Sequence, residues 1–171
     1  MCFVLYAGTV SALPRAAWNK EAPDLSVESL TERDAAIRQY FSNSEVQYIG
    51  STSGCGCDFP NVMLQNGGWP TVETEEAEKD ELDKARDISD QHHRDLLVSL
   101  LRANGTKTVE LYGFWVDGNE ATKSPQAFEN ISLDRMRESN FRFKEQVLYR
   151  IHLESDTPTR RSPERASREA S

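Results

Sequence analysis

The chain has 171 residues, with 28 acidic against 20 basic side chains, and its net charge is −8. With 37% hydrophobic and 28% charged residues, it suits one domain able to bury a core, and it argues against a membrane-spanning or largely disordered chain. So acidic a surface repels phosphate backbones and anionic lipid, which disfavours nucleic acid and membranes as partners.

The first element expected is a strand from Cys2 to Ala7, apolar on both faces. No Lys or Arg precedes the short apolar run "CFVLYAGTVSA", and Tyr6 and Gly8 interrupt it early, so it reads as a strand rather than a secretory signal. "SALPRAAWNKEAPD", with Pro14 and Pro23, reads as a surface excursion. Thr31 and Asp34 resemble a capping box that opens a short helix, with Leu30 stapled onto it and Ile37, Tyr40 and Phe41 on one face. "EVQYIGS", 45–51, alternates as a second strand and leads into "STSGCGCDF", 51–59.

From Cys55 to Pro70 the chain is rich in Gly, Asn and Pro, and the turn-forming "NGGWP" closes that stretch. The longest helix is expected from Thr71 to Ala103, with Asn104-Gly105 as its stop. Leu82, Ala85, Ser89, Leu96 and Leu100 mark its apolar face, which Leu97 and Leu101 widen. "TVELYGFWV", 108–116, is the strongest strand, apolar on both faces as a central strand should be. A short strand near Ile131–Leu133 and a long last strand over 141–153 follow. The polar tail 154–171 lacks any large apolar residue and is expected to be disordered. The pattern specifies one α+β domain, 1–153: a small mixed sheet of four to five strands, one long covering helix and one short helix.

The cysteines carry the unusual chemistry. Three is a poor count for a disulfide framework, and reduced thiols fit a cytoplasmic location. In Gly54-Cys55-Gly56-Cys57 the glycines allow both sulfurs to converge on one point. Converged thiolates bind borderline or soft cations, zinc above all, and Cys2 joins them if the first strand lies beside the second. His92 or His93 would complete a set of three thiolates and one imidazole. The spacing is shorter than the usual two to four residues between zinc cysteines, and two further readings stand beside the metal. The thiols can simply pack as small hydrophobes, or they can act as a redox or nucleophilic pair, although Asp58 beside them raises the thiol pKa and so counts against an activated thiolate.

Cys2 supports a different activity. With Met1 removed, its amine can serve as the general base for its own thiol, as in an N-terminal-cysteine amide hydrolase, with "QNGG", 65–68, offering backbone donors. A third class is an interaction protein that presents the acidic stretch from Glu73 to Asp83 to a basic partner, although such a run is more often a solvated helix face. Asp117, Asn119 and Glu120 follow the strongest strand but equally suit a turn, and Trp69 in the Gly-rich loop is placed to line a pocket. No Gly-rich phosphate loop and no Gly-x-Ser-x-Gly occurs.

Overall fold

The computed structural model describes residues 2–21, 24–62, 76–105, 107–116 and 122–153, giving only the backbone for 62 and 76–83. The fold is α+β, as the sequence pattern specifies, but its main sheet has six strands rather than four to five. These are β1 (Cys2–Thr9), β2 (Leu25–Ser29), β3 (Glu45–Ser51), β5 (Thr108–Val116), β6 (Ala127–Ser132) and β8 (Val147–His152), in the order β2-β3-β1-β5-β8-β6. Every neighbouring pair is antiparallel except β6 with β8, so the sheet is mixed. Two-residue strands β4 (Asn61–Val62) and β7 (Phe143–Lys144) pair in parallel beside it.

β1 and β5 sit at the centre because both of their faces are apolar. One face of the sheet carries Phe3, Leu5, Val109, Leu111, Tyr149 and Ile151, and it is covered by the long helix α1 (Glu76–Ala103) through Leu97, Val98 and Leu101. Burying Leu97 and Leu101 completely contributes about 1.5–3 kcal/mol each. The short helix α2 (Leu133–Arg137) adds Leu133 and Met136 to the same layer. On the opposite face Tyr6, Val46, Tyr112, Phe114 and Leu148 pack under Ile37, Tyr40 and Phe41.

The expected helix after Thr31 is shorter and tighter than the pattern implies. It is a 3-10 turn over Ala35–Tyr40, with i→i+3 bonds such as Ile37 N–H to the Asp34 carbonyl, 2.9 Å. Thr31 Oγ1 does bond Asp34, at 2.6 Å, and Ile37, Tyr40 and Phe41 do share one face. The apolar stripe of α1 is rotated from the expected one. Ala85 is exposed, while Asp90, His93, Arg94, Leu97, Val98 and Leu101 form the buried face. The expected last strand over 141–153 is broken at Gln146, which turns at φ 58 and donates its N–H to the Gly113 carbonyl. Residues 71–75 at the start of the expected helix, the 117–121 turn and the tail 154–171 lie outside the described residues.

Gly113 sits where the two central strands cross a phenylalanine. A Cβ there would come within 2.5 Å of Phe3 Cζ and 2.9 Å of the Val4 carbonyl oxygen. Phe3 is fully buried and edge-packed on Trp115, so it has no room to withdraw. Gly113→Ala is therefore expected to destabilise the fold by about 3 kcal/mol, at the upper end of overpacking costs. Urea unfolding with an unchanged midpoint would refute this packing.

Candidate functional site

The stretch 51–59 reaches the sheet because β3 runs antiparallel to β1 and ends beside its first residues. The register pairs Leu5 with Ile49, so the chain leaving Ser51 passes alongside Phe3 and Cys2. It then turns tightly: Gly54 N–H bonds the Ser51 carbonyl at 2.9 Å, and Ser51 N–H bonds the Cys55 carbonyl at 2.7 Å. Gly54 has φ +77, a conformation that a side chain strains. Gly56 is buried against β1, and a Cβ there would lie 3.1 Å from the Phe3 carbonyl oxygen. Backbone meets backbone at Gly56, which carries its two cysteine neighbours to Cys2.

The outcome is a cluster. The sulfurs of Cys2, Cys55 and Cys57 all lie within 4.8 Å of one another, Cys2 exposed and the other two half-buried. Among the described residues this is the one such group of three metal-ligating side chains. Zn–S bonds of about 2.3 Å place tetrahedral sulfurs about 3.8 Å apart, so small side-chain adjustments bring these three onto one ion. All three are free thiols.

Polar groups point at the sulfurs. Phe3 donates its N–H to Cys57 Sγ at 3.2 Å, and Cys57 N–H lies 3.4 Å from Cys55 Sγ. The Phe3 N–H so placed favours the thiolate of Cys57. Ser53 Oγ stands 3.3 Å from Cys55 Sγ and donates to Asp58 at 2.8 Å. Without a cation the sulfurs oppose one another's ionisation. Burial, then the hydrogen bond with Cys55, push the Cys57 thiol up to about 12, while the Phe3 N–H pulls the other way. Such a thiol is a poor free nucleophile and a good ligand, since a cation at the centre reverses the repulsion.

Asp58 does not turn toward the thiols. Its carboxylate accepts from Ser51 Oγ at 2.7 Å and from Ser53 N–H at 3.0 Å, as well as from Ser53 Oγ. Burial alone would raise its pKa, but these bonds outweigh it and hold the carboxyl below its ordinary value. The aspartate therefore fixes the turn that presents the cysteines.

Neither histidine joins the thiol group. His92 Nε2 bonds Asp24 at 2.9 Å on the surface. His93 is buried against Phe59, its Nδ1 2.8 Å from the Ser89 carbonyl and its Nε2 2.9 Å from Thr52 Oγ1. A carbonyl only accepts, so Nδ1 carries the proton and Nε2 accepts the threonine hydroxyl. His93 ties α1 to the turn, and the expected set of three thiolates and one imidazole is reduced to the thiolates alone for this reason.

Trp18 is the site neighbour that the sequence does not announce. Its Nε1 donates to the Thr52 carbonyl at 3.0 Å, and its ring lies over Gly54. It is the one aromatic residue of the excursion 11–24, the sole sign there of a surface to cover. Trp69, the "QNGG" stretch, Asp117, Asn119 and Glu120 lie outside the described residues, as does Met1; for Glu76–Asp83 in the acidic stretch only the helical backbone is described. Among the described residues no helix is long and apolar enough to cross a membrane. Comparison with protein-family models, with curated proteins and with solved structures found no match for this chain.

Proposed function

We propose that this protein binds a thiophilic metal ion, zinc in the first place, through Cys2, Cys55 and Cys57. What supports the reading above all is the convergence of three thiols from two chain segments more than fifty positions apart. Packing alone gives no reason to bring three sulfurs within 4.8 Å and aim backbone N–H groups at two of them. The raised Cys57 thiol weighs against a free thiolate nucleophile, and with it against the Cys55–Cys57 redox pair. Three protein ligands are fewer than the four that closed structural zinc sites use. The fourth position is then filled from outside the group, and Cys2 is the exposed member of the three. Zinc held in this way supplies Lewis acidity to whatever occupies the fourth position. A site of this kind needs reduced sulfurs, which accords with a cytoplasmic location.

Native mass spectrometry of the intact protein, followed by the same sample denatured, tests the reading. One zinc lost on denaturation, and a cobalt-substituted form with strong sulfur-to-cobalt absorption, are expected. Bare protein after zinc loading under reducing conditions would refute it. Affinity should also climb with pH, because the metal displaces protons from the sulfurs. For each displaced proton the apparent constant rises about tenfold per pH unit. The proton on Cys57, with its pKa of about 12, alone requires a slope of at least one near neutrality. A flat profile between pH 6 and about 8 would count against thiolate ligation.

A further inference from the structure

A second cleft, lined by none of the cysteines, lies along the middle of α1. Arg94 is 2% exposed, yet no carboxylate stands within ion-pair distance of it among the described residues. Its Nη2 bonds the neutral Gln91 Oε1 at 2.7 Å, Nη1 reaches the Ser139 carbonyl only at 3.4 Å, and Nε has no partner among the described residues. A buried guanidinium is costly unless a counter-ion or a full set of acceptors satisfies it. Arg142 stands nearby, and its only carboxylate contacts among the described residues are loose, 3.5 Å to Asp90 and 3.6 Å to the largely exposed Asp87. Arg94 on α1 and Arg142 just before β7 line one open cleft of about 520 Å³, with Gln91, Asn140 and the exposed Ile88 around them.

We propose that this cleft binds an oxyanion, a carboxylate or a phosphate on a small organic ligand, held between the guanidiniums of Arg94 and Arg142. Two arginine forks set around one opening match the paired oxygens of either group. The cleft has the size of an ordinary small-ligand site, and Ile88 offers an apolar wall for the rest of the ligand. Asp87 lines the cleft but is largely exposed, where water screens its charge, while the buried Asp90 reaches Arg142 only at 3.5 Å and is not among the residues lining the cleft. Asp90, Asp95 and Asp87 act on Arg94 only from beyond ion-pair distance, and the oxyanion gives it a direct partner. The geometry stands whether or not the cysteine cluster holds metal.

Calorimetric titration of the full-length protein with inorganic phosphate, and separately with succinate, at constant ionic strength set by chloride, tests this site. Saturable one-site binding of at least one probe is expected. Arg142→Gln should weaken it about tenfold or more, the loss expected for one charge-assisted bond. Arg94→Gln should abolish it. Should Arg94→Gln fail to fold, Arg142→Gln still decides, because its side chain is partly exposed and its carboxylate contacts are loose. Binding of phosphate alone or of succinate alone identifies the ligand class and supports the site. Absence of saturable binding of both probes to the wild type, or unchanged affinity in Arg142→Gln, overturns it.

Discussion

Cys2→Ser is expected to lower zinc affinity by about a hundredfold to a thousandfold while leaving the fold intact. Structural zinc sites contribute about 10–16 kcal/mol over four ligands, so one thiolate accounts for about 2.5–4 kcal/mol. Serine offers a hydroxyl that stays protonated at neutral pH and binds zinc poorly. Cys2 is the best of the three for this test because its side chain is exposed at the start of β1 and packs in neither core cluster. Cys57, by contrast, packs against the core and accepts the Phe3 N–H, so its replacement mixes a folding effect with a ligand effect. Competition against a chromophoric chelator measures the loss, and urea unfolding of the metal-free proteins controls for stability. If Cys2→Ser binds zinc as tightly as the wild type, the ion is not held by three cysteines. If affinity falls but unfolding midpoints also move, the thiol has a structural part that its exposure does not predict.

The sequence made the central strands and the thiol turn legible, and the reasons are local. β5 runs over the nine residues that alternate apolar on both faces, and β3 runs over the expected 45–51. The Cys-Gly-Cys spacing announced convergence because glycine permits both the turn and the close approach. That Cys2 would join depended on β1 pairing with β3, which a single sequence does not state; the register Leu5 with Ile49 supplies it. β2 was missed because only Leu25, Ser26 and Val27 are even partly buried in a five-residue edge strand after Pro23. α2 was missed because five residues are too few to show a helical period. The rotated face of α1 has a chemical cause. Asp90 and Arg94 are polar by type and no hydrophobic period counts them, yet the fold buries them together with His93, His93 on the thiol turn and Arg94 in the oxyanion cleft. Periodicity reads hydrophobicity, and at both of these places the helix turns functional groups inward.

Glu110 is a further buried charge that periodicity could not assign, and removing it should cost as much stability as overpacking at Gly113. It sits on β5 with no exposed surface, opposite Arg150 in the register. Its carboxylate accepts from Ser42 N–H at 2.8 Å, Asn43 N–H at 3.1 Å, Ser42 Oγ at 2.5 Å and Arg150 Nη2 at 3.0 Å. These bonds hold the bend that follows the 3-10 turn and fix Ile37, Tyr40 and Phe41 over their side of the sheet. Glu110→Ala leaves those donors facing a cavity and should cost on the order of 3 kcal/mol, given about 1–3 kcal/mol for each unsatisfied buried group and partial rehydration of the exposed ones. Burial alone would raise the Glu110 pKa, but the bonds from Ser42, Arg150 and Asn43 outweigh it and hold the carboxyl below its ordinary 4.5. A carboxyl depressed by folding stabilises the protein above its unfolded value and loses that stabilisation as pH falls through its folded value. Stability should therefore decline below pH 4.5, with Asp58 adding to the decline because its pKa is depressed as well. Asp90, raised by burial, acts with the opposite sign and softens the slope. Glu110→Gln keeps the shape and removes the titration, so its stability should vary less between pH 5 and about 3 than that of the wild type. Unfolding free energies measured across that range decide the matter: parallel curves for wild type and Glu110→Gln would show that this carboxylate does not anchor the bend.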